Sequence, residues 1–420
     1  MIINKTEGFC VDCKSMHNAE ILQKANDVYF KLYCPEENHT VKVSNDAELF
    51  KKIRSKSISI DRPSGYNGWF VFRYIDLTNH CNFDCPICFA QSSSDKHYFK
   101  DISQVKNELG TILKYNGGSV MFSGGEALLH PDIREIVRYA DELNLRINIL
   151  TNGLIIDKTP GLILELVSLG VWSFTVQFDS FSPSTHDELR ANRYIAHKKR
   201  AMDFLYKHNI RFCITTVVYQ NNLQEINKII LLAAYYAPVL HSLNLVCLKH
   251  VYDNHEKQLG LIFREDIIHK IAENSDNIDT DEFFPFPAMP FLNFAVNPDC
   301  SVLFYMMKVN GKSFPVTRWI DLERVYRHIA AIEKEGPFNI FRIIAAIIGS
   351  VKQHRQLRVI QAIFNLLRGR GNVSLLPILV GDFMDRYYLD RERLRYCGAC
   401  YVQNNKMMPA CLFSYINYEE

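Results

Sequence analysis

The chain has 420 residues, nearly half of them apolar and 22% charged, with 48 Lys and Arg against 46 Asp and Glu. This is the balance of a soluble globular protein with one large domain and smaller ones beside it, and it excludes a mainly disordered chain. The net charge of +2 gives no reason to expect nucleic acid as a partner.

The start, MIINKTEGFCVDCKSMHNAEI, lacks the basic-then-apolar pattern of a signal peptide. Runs such as Ile343 to Ile348 and Ile229 to Ala234 are too short to cross a bilayer, so the expected location is cytoplasmic. Twelve cysteines in a reducing compartment read as metal ligands or core residues rather than disulfides.

Residues 1–55 carry a CxxC, an alternating stretch NDVYFKLYC and a turn PEENH, the marks of a small ribbon stapled by metal. Cys10, Cys13 and Cys34 with His39 offer four N/S ligands, which suit tetrahedral zinc or a mononuclear iron. Electron entry and a structural staple are both open for this site.

Residues 66–285 alternate strands with helices. The strand candidates begin at Trp69, Ser119, Arg146, Trp172, Arg211 and Ser242. Between them, stretches such as DIREIVRYADEL and LQEINKIILLAAYYA repeat apolar residues every three or four positions. Six such units predict a parallel sheet with right-handed crossovers, an open sheet or an incomplete barrel, with its active site at the carboxyl ends of the strands.

Those ends hold the motifs. After the first strand, DLTNHCNFDCPICF places Cys81, Cys85 and Cys88 on one loop. Three thiolates can hold three irons of a four-iron cluster and leave the fourth open. After the second strand stands FSGGE, Ser123 to Glu126, where Gly124 and Gly125 permit a close backbone approach and Glu126 offers a carboxylate. Thr151 and Asn152 end the third strand and Gln177 and Asp179 the fourth, polar groups suited to a ribose or to substrate hydroxyls. A simple turn at Asn152 and Gly153 is the plainer reading of those two.

The CxxxCxxC spacing followed by the GGE segment resembles the radical S-adenosylmethionine (SAM) superfamily. The resemblance implies a partial (β/α)6 radical SAM barrel with a [4Fe-4S] cluster on Cys81, Cys85 and Cys88. It implies SAM contacts from Ser123, Gly124, Gly125, Glu126, Thr151, Asn152, Gln177, Asp179 and Thr216, with Glu126 pairing the methionyl ammonium group. The implied chemistry is reductive cleavage of SAM to methionine and a 5'-deoxyadenosyl radical, which takes hydrogen from a substrate. An electron donor such as ferredoxin or flavodoxin is implied with it.

Residues 286–420 follow a Pro-rich connection and contain two helical stretches, DLERVYRHIAAIEKE and a longer one from Asn339, then RYCGACYVQNNKMMPACLF. Cys397, Cys400 and Cys411, with Cys300, are candidate ligands of an auxiliary [4Fe-4S] cluster. Cys300 as a core thiol is the alternative; Cys213 and Cys247 lie within apolar strands and read as core. From Gly336 to Gly381 there is no acidic residue, while Arg342, Lys352, Arg355, Arg358, Arg368 and Arg370 alternate with apolar ones. That pattern fits either peripheral contact with an anionic membrane or a solvated basic face.

The order of ribbon, core and cysteine-bearing end is similar to the subgroup of tetraether lipid synthases and cobalamin-independent methylases of pterin precursors. The chain departs from that layout with Ala295 before Cys300 and CPEENH at the ribbon's end, which bears on the number of auxiliary clusters. By this resemblance the expected outcome is C–C bond formation or methylation of a small-molecule, lipid or peptide substrate. A peptide-modifying maturase and a non-catalytic iron-sulfur electron carrier are the alternatives.

Overall fold

The computed structural model describes residues 1–36, 38–57, 70–115, 117–192, 194–249, 259–273, 278–285, 296–309, 312–334, 340–352 and 373–416. Trp69, most of the Pro-rich connection, Ala295, Arg355, Arg358, Arg368 and Arg370 lie outside the described residues.

Strands β1 (Ile2–Cys10), β2 (Ser15–Lys24), β3 (Asp27–Tyr33) and β4 (Asn38–Ser44) form an antiparallel sheet in that order. Along β3, Val28, Phe30 and Leu32 turn inward, the period of two that a half-buried strand requires. Helix α1 (Ala47–Ser55) begins at Asp46, whose carboxylate accepts from the Glu48 and Leu49 amides, and so satisfies two of the helix's unpaired N–H groups. The ribbon has too few apolar residues to bury its own face. The far end of the chain completes it: Met384, Tyr388, Leu389 and Leu394 pack into the same cluster, with the Phe30 and Tyr388 rings 4.8 Å apart.

The central sheet is built from β5 (Phe72–Thr78), β6 (Ser119–Gly124), β7 (Arg146–Thr151), β8 (Val171–Gln177), β9 (Phe212–Val218) and β10 (Leu240–Cys247), adjacent in chain order. Every neighbouring pair among them is parallel. Helices α2 (Ile102–Lys114), α3 (Ile133–Glu142), α4 (Leu154–Lys158), α5 (Pro160–Ser168), α6 (Pro183–Arg190), α7 (Ile195–Lys207) and α8 (Ile226–Tyr236) make the crossovers. This is the parallel α/β sheet that the strand spacing predicts, in the order a partial radical SAM barrel requires. Ile75, Leu77, Val120, Phe122, Ile147, Ile149, Phe212, Ile214, Leu243 and Leu245 are buried in one core cluster with the helices. Each such side chain contributes about 1.5–3 kcal/mol by leaving water. Because side chains alternate across a strand, the residues between them face the opposite, inner side, and many of those are polar.

After β10 come α9 (Arg264–Glu273), β11 (Phe284–Pro285), β12 (Ser301–Val309), β13 (Lys312–Pro315), α10 (Leu322–Lys334) and α11 (Ile340–Gly349). The chain ends in β14 (Val373–Gly381), α12 (Arg391–Arg395), β15 (Ala399–Gln403), β16 (Lys406–Pro409) and α13 (Ala410–Ile416). Helices α10 and α11 fall in the two helical stretches the sequence suggests, the second of which is described only to Lys352; α12, α13 and the strands are added by the structure. Strand β14 pairs in parallel with β10, and β15 in parallel with β5. The C-terminal region thus covers both edges of the six-stranded sheet, edges that would otherwise expose unpaired backbone groups. Among the described residues no helix is long and apolar enough to cross a membrane.

Candidate active site

The loop after β5 carries Cys81, Cys85 and Cys88, all partly buried. Its backbone is fixed on the next strand end: the Gly125 N–H donates to the Thr78 carbonyl at 2.7 Å and the Glu126 N–H to the His80 carbonyl at 2.9 Å. A Cβ on Gly125 would lie 1.9 Å from the His80 carbonyl oxygen, and one on Gly124 would lie 2.3 Å from that of Thr78. Gly124 also has φ of +111°, a conformation that costs any other residue strain. The paired glycines therefore serve the approach of the cysteine loop itself.

Each loop thiol has a donor. The Ser92 N–H points at Cys88 Sγ at 3.3 Å, Asn152 Nδ2 lies 3.9 Å from Cys81 Sγ, and the Arg190 guanidinium donates to Cys85. Burial, then the nearby Glu126 carboxylate, pushes the Cys81 thiol up to about 12, and burial with Cys85 raises Cys88. Three crowded thiols, each facing a hydrogen-bond donor and two of them, Cys81 and Cys88, resisting ionisation on their own, fit binding to a cationic centre that draws off their protons.

Glu126 is fully buried. Its carboxylate accepts from Thr151 Oγ1 at 3.0 Å and the Asn152 N–H at 2.9 Å through one oxygen, and from the Leu128 N–H at 3.3 Å through the other. It thereby ties the second strand end to the third, while burial raises its pKa to about 7. Asn152 does two things: its Nδ2 donates to Asn82 Oδ1 at 2.7 Å, within the cysteine loop, and its Oδ1 accepts from the Leu154 N–H at 3.0 Å at the start of α4. Gly153, with φ of +87°, makes the turn. Ser123 sits in register with Asp76 on β5.

At the fourth strand end, Gln177 Oε1 accepts from Lys198 Nζ at 2.9 Å. Asp179 is fully buried in a two-pronged pair with Arg190, at 2.9 and 3.1 Å, and accepts from the Val217 N–H at 2.9 Å. Burial would raise its pKa, but the guanidinium outweighs that and holds the carboxyl below its ordinary value. Thr216 is brought elsewhere: its hydroxyl donates to the Phe178 carbonyl at 2.6 Å and it is fully buried, while Thr215 faces the inner side.

Lys198 and Arg190 escape a reading of the sequence. Both are buried cations within the field of Cys85, and Lys198 also feels Glu126; burial lowers its pKa to about 8. Neither belongs to a motif, since each sits on a helix some residues past its strand. The one available signal is a lysine on the apolar side of α7, where a cation calls for a buried partner.

In the ribbon, Cys10, Cys13 and Cys34 bring their sulfurs within 4.8 Å of one another, the tightest such group among the described residues. Cys13 Sγ and Cys34 Sγ are 3.7 Å apart, where a tetrahedral ion with metal–sulfur bonds of about 2.3 Å would space them roughly 3.8 Å apart. The donor set fits one ion. His17 Nε2 lies 3.0 Å from Cys13 Sγ. His39 stands outside this group and turns its Nε2 to the Tyr387 carbonyl at 2.7 Å.

At the other end, burial and then Cys300 push the Cys397 thiol up to about 11, and burial, then Cys397 and Cys300, raise Cys411, beside the buried Arg393. Cys400 is in register with Arg73 on β5 and packs in the main core cluster. Cys300, Cys397 and Cys411 thus lie near one another, and Cys400 also lies within the field of Cys397.

Residues 75–233 match the Radical SAM superfamily. The chain is 25% identical, over 99% of its length and 94% of the relative's, to a 7,8-dihydro-6-hydroxymethylpterin dimethyltransferase of Methanocaldococcus jannaschii. It is 30% identical to an AdoMet-dependent heme synthase of Methanosarcina barkeri over 36% of this chain and 44% of that protein. The subtilosin biosynthesis protein AlbA of Bacillus subtilis is 26% identical over 36% of this chain and 34% of its own, so the chain spans under half the length of these last two curated relatives. Among solved structures, Streptococcus suis SuiB bound to S-adenosylmethionine superposes with a TM-score of 0.40 at 15% identity, covering 49% of this chain and 47% of that one.

Proposed function

Residues 75–233 are a radical SAM domain and the chain is an enzyme of that type; on that footing we propose that it methylates, or forms a C–C bond on, a small-molecule substrate. The observation that carries the reading is the clasp of the Cys81–Cys88 loop onto Gly125 and Glu126. It sets three thiols beside an acid and a cation at the mouth of the sheet.

When bound, the [4Fe-4S] cluster and SAM supply a 5'-deoxyadenosyl radical by reductive C–S cleavage, with methionine as the other product. The protein's own part is placement. Cys81, Cys85 and Cys88 would hold the cluster; Glu126, fixed by Thr151 and Asn152, would meet the methionyl ammonium; Lys198, held by Gln177, would suit the methionyl carboxylate. Arg190, clamped by Asp179, keeps Cys85 oriented.

Methyl transfer or C–C bond formation is favoured over peptide maturation because the pterin-named relative matches nearly the whole chain, whereas AlbA matches about a third of it. Cys300, Cys397 and Cys411 are read as ligands of an auxiliary iron-sulfur cluster, and Cys10, Cys13 and Cys34 as ligands of zinc or a single iron. A ferredoxin or flavodoxin would supply electrons. Anaerobic reconstitution with iron, sulfide, dithionite and SAM should yield 5'-deoxyadenosine, and Cys85→Ala should abolish it. A reconstituted wild type that binds no cluster overturns the reading.

A further inference from the structure

A buried cation with no ion-pair partner stands among the C-terminal cysteines. We propose that Arg393, together with Tyr388, donates hydrogen bonds to the sulfides of an iron-sulfur cluster held by Cys300, Cys397 and Cys411, and that Arg393 raises the reduction potential of that cluster. The proposal rests on the auxiliary-cluster reading and adds which of the chain's own groups set the charge around it.

Three observations carry it. First, Arg393 is 1% exposed, and a guanidinium so buried requires a counter-charge. The nearby carboxylates are engaged elsewhere: Asp299 pairs with Arg54 at 3.0 Å, Asp382 pairs with Lys249, and Asp390 accepts the Arg393 backbone N–H at 2.9 Å as the cap of α12. Among the described residues no carboxylate makes an ion pair with the Arg393 guanidinium.

Second, donors are left over beside the thiols. One outer nitrogen of Arg393 is spent on the Asp382 carbonyl, and the guanidinium also bonds to Cys300. Its Nε is sealed from solvent with no acceptor among the described residues, and so is the hydroxyl of Tyr388, over whose ring the guanidinium lies at 5.0 Å. Two adjacent buried donors without an acceptor fit an anionic group bound beside them.

Third, the two donors are tied to the segments of all three thiols. The residue whose carbonyl Arg393 grips, Asp382, donates its N–H to the Cys300 carbonyl at 2.8 Å, and the Cys397 N–H donates at 3.2 Å to the carbonyl of Leu394, next to Arg393. Tyr388 packs in the same apolar cluster as Cys411. A four-iron cluster on three thiolates is anionic when oxidised and gains one further negative charge when reduced. A fixed cation and two donors favour the second state over the first, and so raise the potential.

The test uses the full chain carrying Cys81→Ala, Cys85→Ala and Cys88→Ala, reconstituted anaerobically with iron and sulfide. Acid-labile sulfide reports the remaining cluster, because a single ion in the ribbon binds none, and electron paramagnetic resonance during a dithionite titration gives its midpoint potential. In that background Arg393→Gln should shift the reduced-to-oxidised ratio at least tenfold toward the oxidised form, about 59 mV downward for one electron. Tyr388→Phe should move it the same way by less, and Arg393→Lys, which keeps the charge, should return most of the shift. An unchanged potential in Arg393→Gln with sulfide retained overturns the proposal; if that variant does not fold or hold sulfide, Tyr388→Phe decides by the same measure. Should the background itself not fold, the same variants are read in the wild-type chain, where added SAM moves only the signal of the cluster on Cys81, Cys85 and Cys88. The auxiliary-cluster reading is scored apart, by sulfide: a folded background that binds none ends that reading and the proposal with it.

Discussion

Gly125 and His80 meet backbone to backbone, with no room between them for a single methyl group: the space where a Cβ would stand lies 1.9 Å from the His80 carbonyl oxygen. His80 immediately precedes the first cysteine of the loop. The two glycines and the three thiols are thus one mechanical unit, although they lie 36 to 44 residues apart in the chain.

Gly125→Ala should therefore damage the cluster before it damages the fold. The methyl group has backbone on its far side, which cannot give as the end of a flexible side chain can, so the cysteine loop must move off. Iron and sulfide bound after reconstitution should fall several-fold, with far-ultraviolet circular dichroism near that of the wild type. Full iron loading in the variant would show that the loop tolerates the shift.

Arg190→Ala should be among the most destabilising single changes in the core. It leaves Asp179 buried without its paired guanidinium, with only Lys198 near by, and removing one partner of a buried pair costs about 3–5 kcal/mol. Denaturant unfolding of the apoprotein is the measurement. A loss below about 1 kcal/mol would mean that water or a neighbour replaces the guanidinium.

The ribbon should hold one metal ion per chain that Cys13→Ser releases. His17 Nε2, at 3.0 Å from Cys13 Sγ, is placed to act as fourth ligand, while His39 is engaged with the Tyr387 carbonyl. His17→Ala should speed metal loss to a chelator more than His39→Ala does, read by elemental analysis over time. The reverse order would place His39 at the ion.

Asp157 joins α4 to α7, the helix of Lys198: it takes two hydrogen bonds of 2.8 Å from Arg200, and His197 adds another. Its pKa is lowered from 3.8, chiefly by the Arg200 hydrogen bonds against the opposing effect of burial. A depressed carboxyl stabilises the fold above its unfolded pKa and loses that contribution as pH falls through the folded one. Asp157→Asn should thus cost roughly 1 kcal/mol at neutral pH, discounted for the exposure of Arg200. That difference from the wild type should shrink below about pH 4, as urea titrations at several pH values would read. A gap constant down to pH 2 would assign the effect to packing.

Much of this protein was fixed by short-range pattern. The six core strands, the loop of Cys81, Cys85 and Cys88, the FSGGE segment and the ribbon's CxxC are all local in the chain, and period, spacing and residue chemistry are local properties. Tertiary structure alone decided the rest, because it depends on which distant atoms share a volume. Cys397 comes near Cys300 and Cys411, and Cys400 comes into register with Arg73, because β15 lies against β5. Thr216 faces the helices and Thr215 the inner wall because successive strand residues face opposite ways. Lys198 and Arg190 reach the thiols from helices, by side-chain length and burial, and no spacing rule in the sequence encodes that reach.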